Sequence, residues 1–183
     1  MRQAFLEAHR ALGKTGINPN VGCVLVKNNF IIARARTSPG GRPHAEENLI
    51  SKLTKTELKG SSLFVTLEPC AHKGKNGTSC ADLILNSGIK EIFISNNDPD
   101  PRTCGKGLEI LRKSKIKINP DFLINEGKNL NIGYLTNHSY NRPFVTIKFA
   151  ISLDGKISLK NKNSKWISNA SVSYTHLRAH ETV

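Results

Sequence analysis

Along the first 120 or so residues the apolar period changes several times, and each change predicts an element. Phe5, Ala8 and Leu12 recur at helical spacing, and Gly13 and Gly16 close that helix. VGCVLVK and FIIARAR are two apolar runs joined across Asn28 and Asn29. Asparagine tolerates positive φ, so the pair predicts a tight hairpin. TSPGGRP is a loop by composition. HAEENLISKLTK, with Pro43 just ahead of it, predicts a helix that places Leu49, Ile50 and Leu53 on one face. SLFVTL predicts a short buried strand, EPCAHKGKNGTSC a polar, glycine-rich loop, and ADLILNSG a helix stopped at Gly88. KEIFISN, GKGLEILRKS and IKI follow as strand, helix and strand. This alternation predicts a layered α/β domain whose second half is largely parallel.

The pattern then breaks. DFLINEGKNLNIGYLTNHSYN reads as a helical connector, and RPFVTIKFAISLDGKISL opens a fresh strand pattern. The expected organisation is a first domain over residues 1–122, a connector over 123–142 and the start of a second domain over 143–169. About forty residues after Arg142 are too few for a core of their own, so that second domain is read as incomplete.

Composition narrows the partners. No apolar run approaches the roughly 18 residues of a membrane helix, and the charged N-terminus MRQAFLEAHRALGK is not a secretory signal. The cytoplasm is the expected compartment, which sets disulfides aside and favours metal binding or burial for Cys23, Cys70, Cys80 and Cys104. Cys23, inside VGCVLV, reads as a buried small hydrophobe. The formal charge of +13 suits an anionic partner, a phosphorylated small molecule or nucleic acid, although the lysines are scattered as a solvated surface would scatter them.

The chemistry concentrates in four residues. His44 and Glu46 form an H-x-E at a predicted helix start, and Pro69-Cys70 and Cys80 bracket a loop after a buried strand. One imidazole and two thiolates give zinc three ligands and leave a fourth position for water, the donor set of a catalytic centre. A proline at 69 that opened a helical turn would favour the Cys70 thiolate. Glu46 lies close to the metal without having to ligate it, so it can move a proton from water to a leaving amine, the part such a glutamate plays in nucleobase deaminases.

These residues and the motifs INPNVGCVLV, GGRPHAE, VTLEPCAHKG, DPDPRTCGKGLEIL and RPFVTIKFAISLDGKI resemble the deaminase–reductase family of riboflavin biosynthesis, chiefly its N-terminal deaminase half. The resemblance covers residues 1 to about 168. It implies a three-layer α/β/α cytidine-deaminase-like fold and hydrolysis of an amine from diaminohydroxyphosphoribosylaminopyrimidine, a phosphorylated pyrimidine. It places Zn2+ on His44, Cys70 and Cys80 and the proton shuttle on Glu46. It sets Asn18 and Asp98 beside the pyrimidine ring, and His72, Lys73 and Lys75 toward the substrate phosphate or, equally, on a solvated basic turn. Family members often self-associate, which leaves a homo-oligomer open.

The chain departs from the family at two places. The cysteine loop, KGKNGTSC, lacks the usual proline pair and is one residue longer, although its spacing still argues against tRNA adenosine and cytidine deaminases. The second departure is the reductase half, which breaks off early. There the resemblance would put Ala150 and Trp166 against NADPH and Ser164 against the reductase substrate, in a full-length bifunctional form only. SVSYTHLRAHETV does not continue the family pattern. Residues 170–183 resemble translated adapter read-through and are set aside as a non-native tail. Reductase activity is not expected of this chain. Two other readings stay open: a deaminase of other nucleosides or of tRNA, and a non-catalytic basic zinc module binding nucleic acid. The latter leaves Glu46 without a task, and an aromatic fraction of 6% offers little for base stacking.

Overall fold

The computed structural model describes residues 1–73, 77–147, 149 and 151–156. Five strands form one mixed sheet in the order β2-β1-β3-β4-β5. β1 (Gly22–Lys27) and β2 (Phe30–Arg36) are antiparallel, joined by Asn28 and Asn29 at φ 50° and 65°. Two successive left-handed residues are what a two-residue turn between twisted strands needs. β3 (Ser62–Leu67) runs antiparallel to β1 and parallel to β4 (Glu91–Asn96), which is parallel to β5 (Lys117–Asn119). The expected parallel second half is therefore present.

Alternation along the strands decides the layers. Cys23, Leu25, Leu63, Val65, Ile92 and Ile94 are fully buried on one face. With them pack Ala45 and Leu49 of α2 (Ala45–Ile50), Leu58 of α3 (Lys55–Leu58), Ala81 and Ile84 of α4 (Cys80–Leu85), and Leu108 and Leu111 of α5 (Lys106–Arg112). The opposite face is covered by α1 (Arg2–His9) over β1, β2 and β3, and by α6 (Ile124–Leu130) over β4. Helices on both faces make this the three-layer α/β/α arrangement. α1 lies close enough that a Cβ on Gly22 would stand 2.0 Å from the Ala4 carbonyl oxygen. α7 (Ile132–Tyr140) follows α6 after one residue.

The predicted helix over 44–55 is shorter than its pattern. α2 stops at Ile50, and Thr54 caps α3 by accepting the Glu57 amide. Ile50 and Leu53 still reach the core.

Contacts divide the chain into two compact units between Pro143 and Phe144. The described residues of the second unit form no hydrogen-bonded strand despite their strand-like pattern. Phe144, Val145, Ile147 and Phe149 are exposed, and a strand is not stabilised without a partner for its amides and carbonyls. Ala150, Ser164 and Trp166 lie outside the described residues. Among the described residues no helix is long and apolar enough to cross a membrane.

α5 meets the end of β3 so closely that Gly107 admits no side chain. A Cβ there would lie 2.0 Å from the Pro69 carbonyl oxygen, which is backbone and cannot swing away. Gly107→Ala gains about 1 kcal/mol of helix preference, but overpacking costs about 3 kcal/mol. A net loss in chemical denaturation is the expected result, and unchanged stability would refute the close packing.

Candidate active site

Three elements bring the chemical residues together. His44 precedes α2, Cys70 follows β3, and Cys80 is the first residue of α4. Their ligand atoms all lie within 4.8 Å of one another. His44 Nδ1 faces Cys80 Sγ at 3.4 Å. Two thiolates on tetrahedral zinc are about 3.8 Å apart, given Zn–S bonds of about 2.3 Å, so the residues fit that ion and leave one position open.

Each ligand is held from behind. The His44 amide donates to Glu47 Oε2 at 2.7 Å, which fixes the start of α2. Ser79 caps α4 through the Asp82 amide. The helix beside Cys70 is α4 and not a turn opened by Pro69: the Cys80 amide donates to Cys70 Sγ at 3.4 Å and the Ala81 amide to the Cys70 carbonyl at 3.1 Å. A hydrogen bond from the Cys80 thiol, with further ones from His44 and the Cys80 amide, holds Cys70 well below the ordinary thiol range. The same bond and burial push Cys80 up. Burial disfavours a charged His44, but its bond to Cys70 and the charges of Glu46 and Cys70 outweigh that and raise its pKa.

Glu46, the second residue of α2, is 3% exposed. Burial pushes its carboxyl up to about 7; the His44 charge opposes this and the Cys70 charge adds to it. A carboxyl poised near neutrality can both accept and return a proton.

His44, Glu46 and Cys70 line a cavity of about 570 Å³, a size ordinary for small-molecule sites. Asn18, Asp98, His72 and Lys73 all line it, and Lys75 lies outside the described residues. Asn18 Nδ2 donates to the Thr15 and Gly40 carbonyls, so its Oδ1 is the side chain's remaining polar atom. Gly41, at φ 89°, must lack a side chain because a Cβ would strike the Asn18 amide.

Several lining residues were not singled out from the sequence. Arg42 pairs with Glu47 at 3.1 Å and donates to His72 Nε2 at 3.2 Å. Because arginine can only donate, the His72 ring proton sits on Nδ1, facing Thr103 Oγ1. Asp100 and Arg102, which also line the cavity, form a close pair that holds the Asp100 carboxyl down at about 2. Glu68, the buried glutamate of VTLEPCAHKG, accepts the amides of Asp98, Gly105 and Leu108. It ties the strand end that carries Cys70 to the loop that carries Asp98. Glu68 and Arg42 lie inside the motifs VTLEPCAHKG and GGRPHAE without having been marked there; no local signal marked Tyr134, Asn137 or His138 of α7, which also line the cavity.

A His-Cys-Cys cluster with a buried glutamate two residues from its histidine, on a mixed five-stranded sheet between helices, defines a class: the zinc-binding region of the cytidine and deoxycytidylate deaminase family matches residues 1–96, and the chain belongs to that family. Within it, the chain is similar to the riboflavin biosynthesis protein RibD. It is 40% identical to RibD of Bacillus amyloliquefaciens over 169 residues, which cover 92% of this chain and 45% of that protein. It is 39% identical to RibD of Actinobacillus pleuropneumoniae over 171 residues, 93% of this chain and 45% of that one. A crystal structure of a diaminohydroxyphosphoribosylaminopyrimidine deaminase/5-amino-6-(5-phosphoribosylamino)uracil reductase from Thermotoga maritima superimposes with a TM-score of 0.89 at 39% identity, covering 97% of this chain and 51% of that one. The chain thus spans about half the length of the relatives it matches.

Proposed function

We propose that this chain hydrolyses the exocyclic amine of diaminohydroxyphosphoribosylaminopyrimidine, giving 5-amino-6-(5-phosphoribosylamino)uracil and ammonia. The observation that carries this reading is the His44–Cys70–Cys80 cluster with buried Glu46 near it, at a cavity that His44, Glu46 and Cys70 line. The likeness to RibD proteins supplies the substrate. His44, Cys70 and Cys80 hold zinc, which when bound supplies a Lewis acid for activating water. Glu46 takes a proton as the water oxygen bonds to the amine-bearing ring carbon, and returns it to the nitrogen as the C–N bond breaks. Asn18 and Asp98 face the ring, and His72 and Lys73 the phosphate, a role the resemblance also gives to Lys75. Arg42, joined to His72, adds positive charge on the same rim.

The reduced Cys70 and Cys80 that zinc needs persist in the cytoplasm, which is where we place the reaction. Self-association belongs to the same reading and is carried by the resemblance alone. NADPH contacts of Ala150 and Trp166, and a substrate contact of Ser164, are assigned only to a longer bifunctional form. Ammonia release by zinc-loaded protein, with cytidine and a tRNA as parallel substrates, tests the proposal. Release from the diaminopyrimidine ribose-phosphate alone is expected. Release from cytidine or the tRNA instead would overturn the assignment.

A further inference from the structure

Patterning reads residues 123–142 as a connector, yet α7 reaches the catalytic cavity. Two side chains fasten this segment to the two loops that flank the site. At the junction of α6 and α7, buried Asn131 accepts the Asn20 amide through Oδ1 at 2.8 Å and donates Nδ2 to the Asn20 carbonyl at 3.1 Å. Both ends of one side chain thereby clasp one backbone residue of the loop that carries Asn18. Three residues on, the Tyr134 hydroxyl donates to Asp98 Oδ1 at 2.7 Å. That oxygen also accepts the Asp100 amide at 3.0 Å, whereas Oδ2 has no hydrogen bond to a described residue. His138 packs against the Tyr134 ring at 4.5 Å between centroids.

We infer that α7 is a wall of the substrate cavity, with Tyr134 and Asn131 as positioning residues: Tyr134 locks the Asp98 carboxylate by one oxygen and leaves the other to accept an N–H of the substrate ring. The inference rests on the aminopyrimidine reading above. Its physical logic is preorganisation, since an aspartate already held in place needs no further ordering when substrate arrives. Asn131 does the same for the Asn18 loop across 111 positions of chain.

Tyr134→Phe keeps the ring and its packing and removes only the hydroxyl. In ammonia release from the diaminopyrimidine ribose-phosphate, KM is expected to rise about tenfold with kcat within about twofold, the scale of one hydrogen bond to a charged group. Zinc content should equal that of the parent protein. In an Asp98→Ala background the same substitution should change KM by less than about twofold, because the hydroxyl acts through that carboxylate. An unchanged KM, or a tenfold effect that persists without Asp98, would overturn the inference. A second measurement needs no substrate: amide exchange at Asp100, whose N–H donates to Asp98, should quicken about tenfold in Tyr134→Phe. Equal exchange sinks the positioning role, whereas faster exchange in a protein that releases no ammonia would sink only the substrate assignment.

Discussion

Glu46→Gln should leave a folded, zinc-binding protein whose ammonia release has fallen about a thousandfold. Glutamine has the shape of a protonated glutamate and cannot exchange a proton, so the substitution isolates transfer from packing. The site is buried, and burial already pushes the carboxyl up to about 7. Removing a charge that the surroundings disfavour costs the fold little. The three ligand residues are untouched, so metal content should match that of the parent protein. Turnover within about tenfold of the parent would break the mechanism, because the neighbouring carboxylate of α2, Glu47, is already engaged by the His44 amide and Arg42. Glu46→Asp offers a graded comparison: it keeps the proton-carrying group and retracts it by one methylene, so it should fall between the two.

How far the fold and site could be read from the chain follows from how local each signal is. Asn28–Asn29 marks its hairpin because two adjacent residues hold the whole conformation, and Gly88, at φ 84°, likewise closes α4. The candidate ligands His44, Cys70 and Cys80 could be singled out because few residue types bind zinc, and Glu46 because it stands two residues from His44. The structure brings the three ligands together and sets Glu46 on the same cavity. Contacts that depend on distant pairing left no such trace. Glu68 meets amides thirty to forty residues away, and Asn131 meets Asn20 across the first unit. Both look like ordinary polar residues in a linear text. The position of Cys70 shows the same limit: a proline beside a cysteine suggested its own helical turn, whereas the amides that serve Cys70 come from α4. The strand-like run from Phe144 is legible as pattern only, because its described residues find no neighbouring strand to complete it.

Cys80→Ala is expected to abolish zinc binding, taking the metal from about one equivalent per chain to a small residue after dialysis. The three ligand atoms come from the residue before α2, the loop after β3 and the first residue of α4, and no fourth histidine, cysteine or carboxylate joins the cluster among the described residues. Two ligands cannot enforce a tetrahedral site. Losing an outer partner of a metal ligand alone lowers affinity by about 10- to 100-fold, so losing a ligand should exceed that. The main objection is that Cys80 is fully buried at the start of α4, where a smaller side chain could disturb folding. Alanine suits a first helical turn, and the Ser79 cap and the Ala81 bond to Cys70 involve no part of the Cys80 side chain. Far-ultraviolet circular dichroism should therefore remain that of the parent. Metal removal with a chelator supplies the independent comparison, because it empties the site and leaves every side chain in place. If the chelated parent and Cys80→Ala share one thermal midpoint, below that of the zinc-loaded parent, the stabilisation belongs to the metal. A Cys80→Ala protein that retains zinc as tightly as the parent would remove Cys80 from the ligand set, and the chemistry assigned to Glu46 would need a different metal geometry beside it.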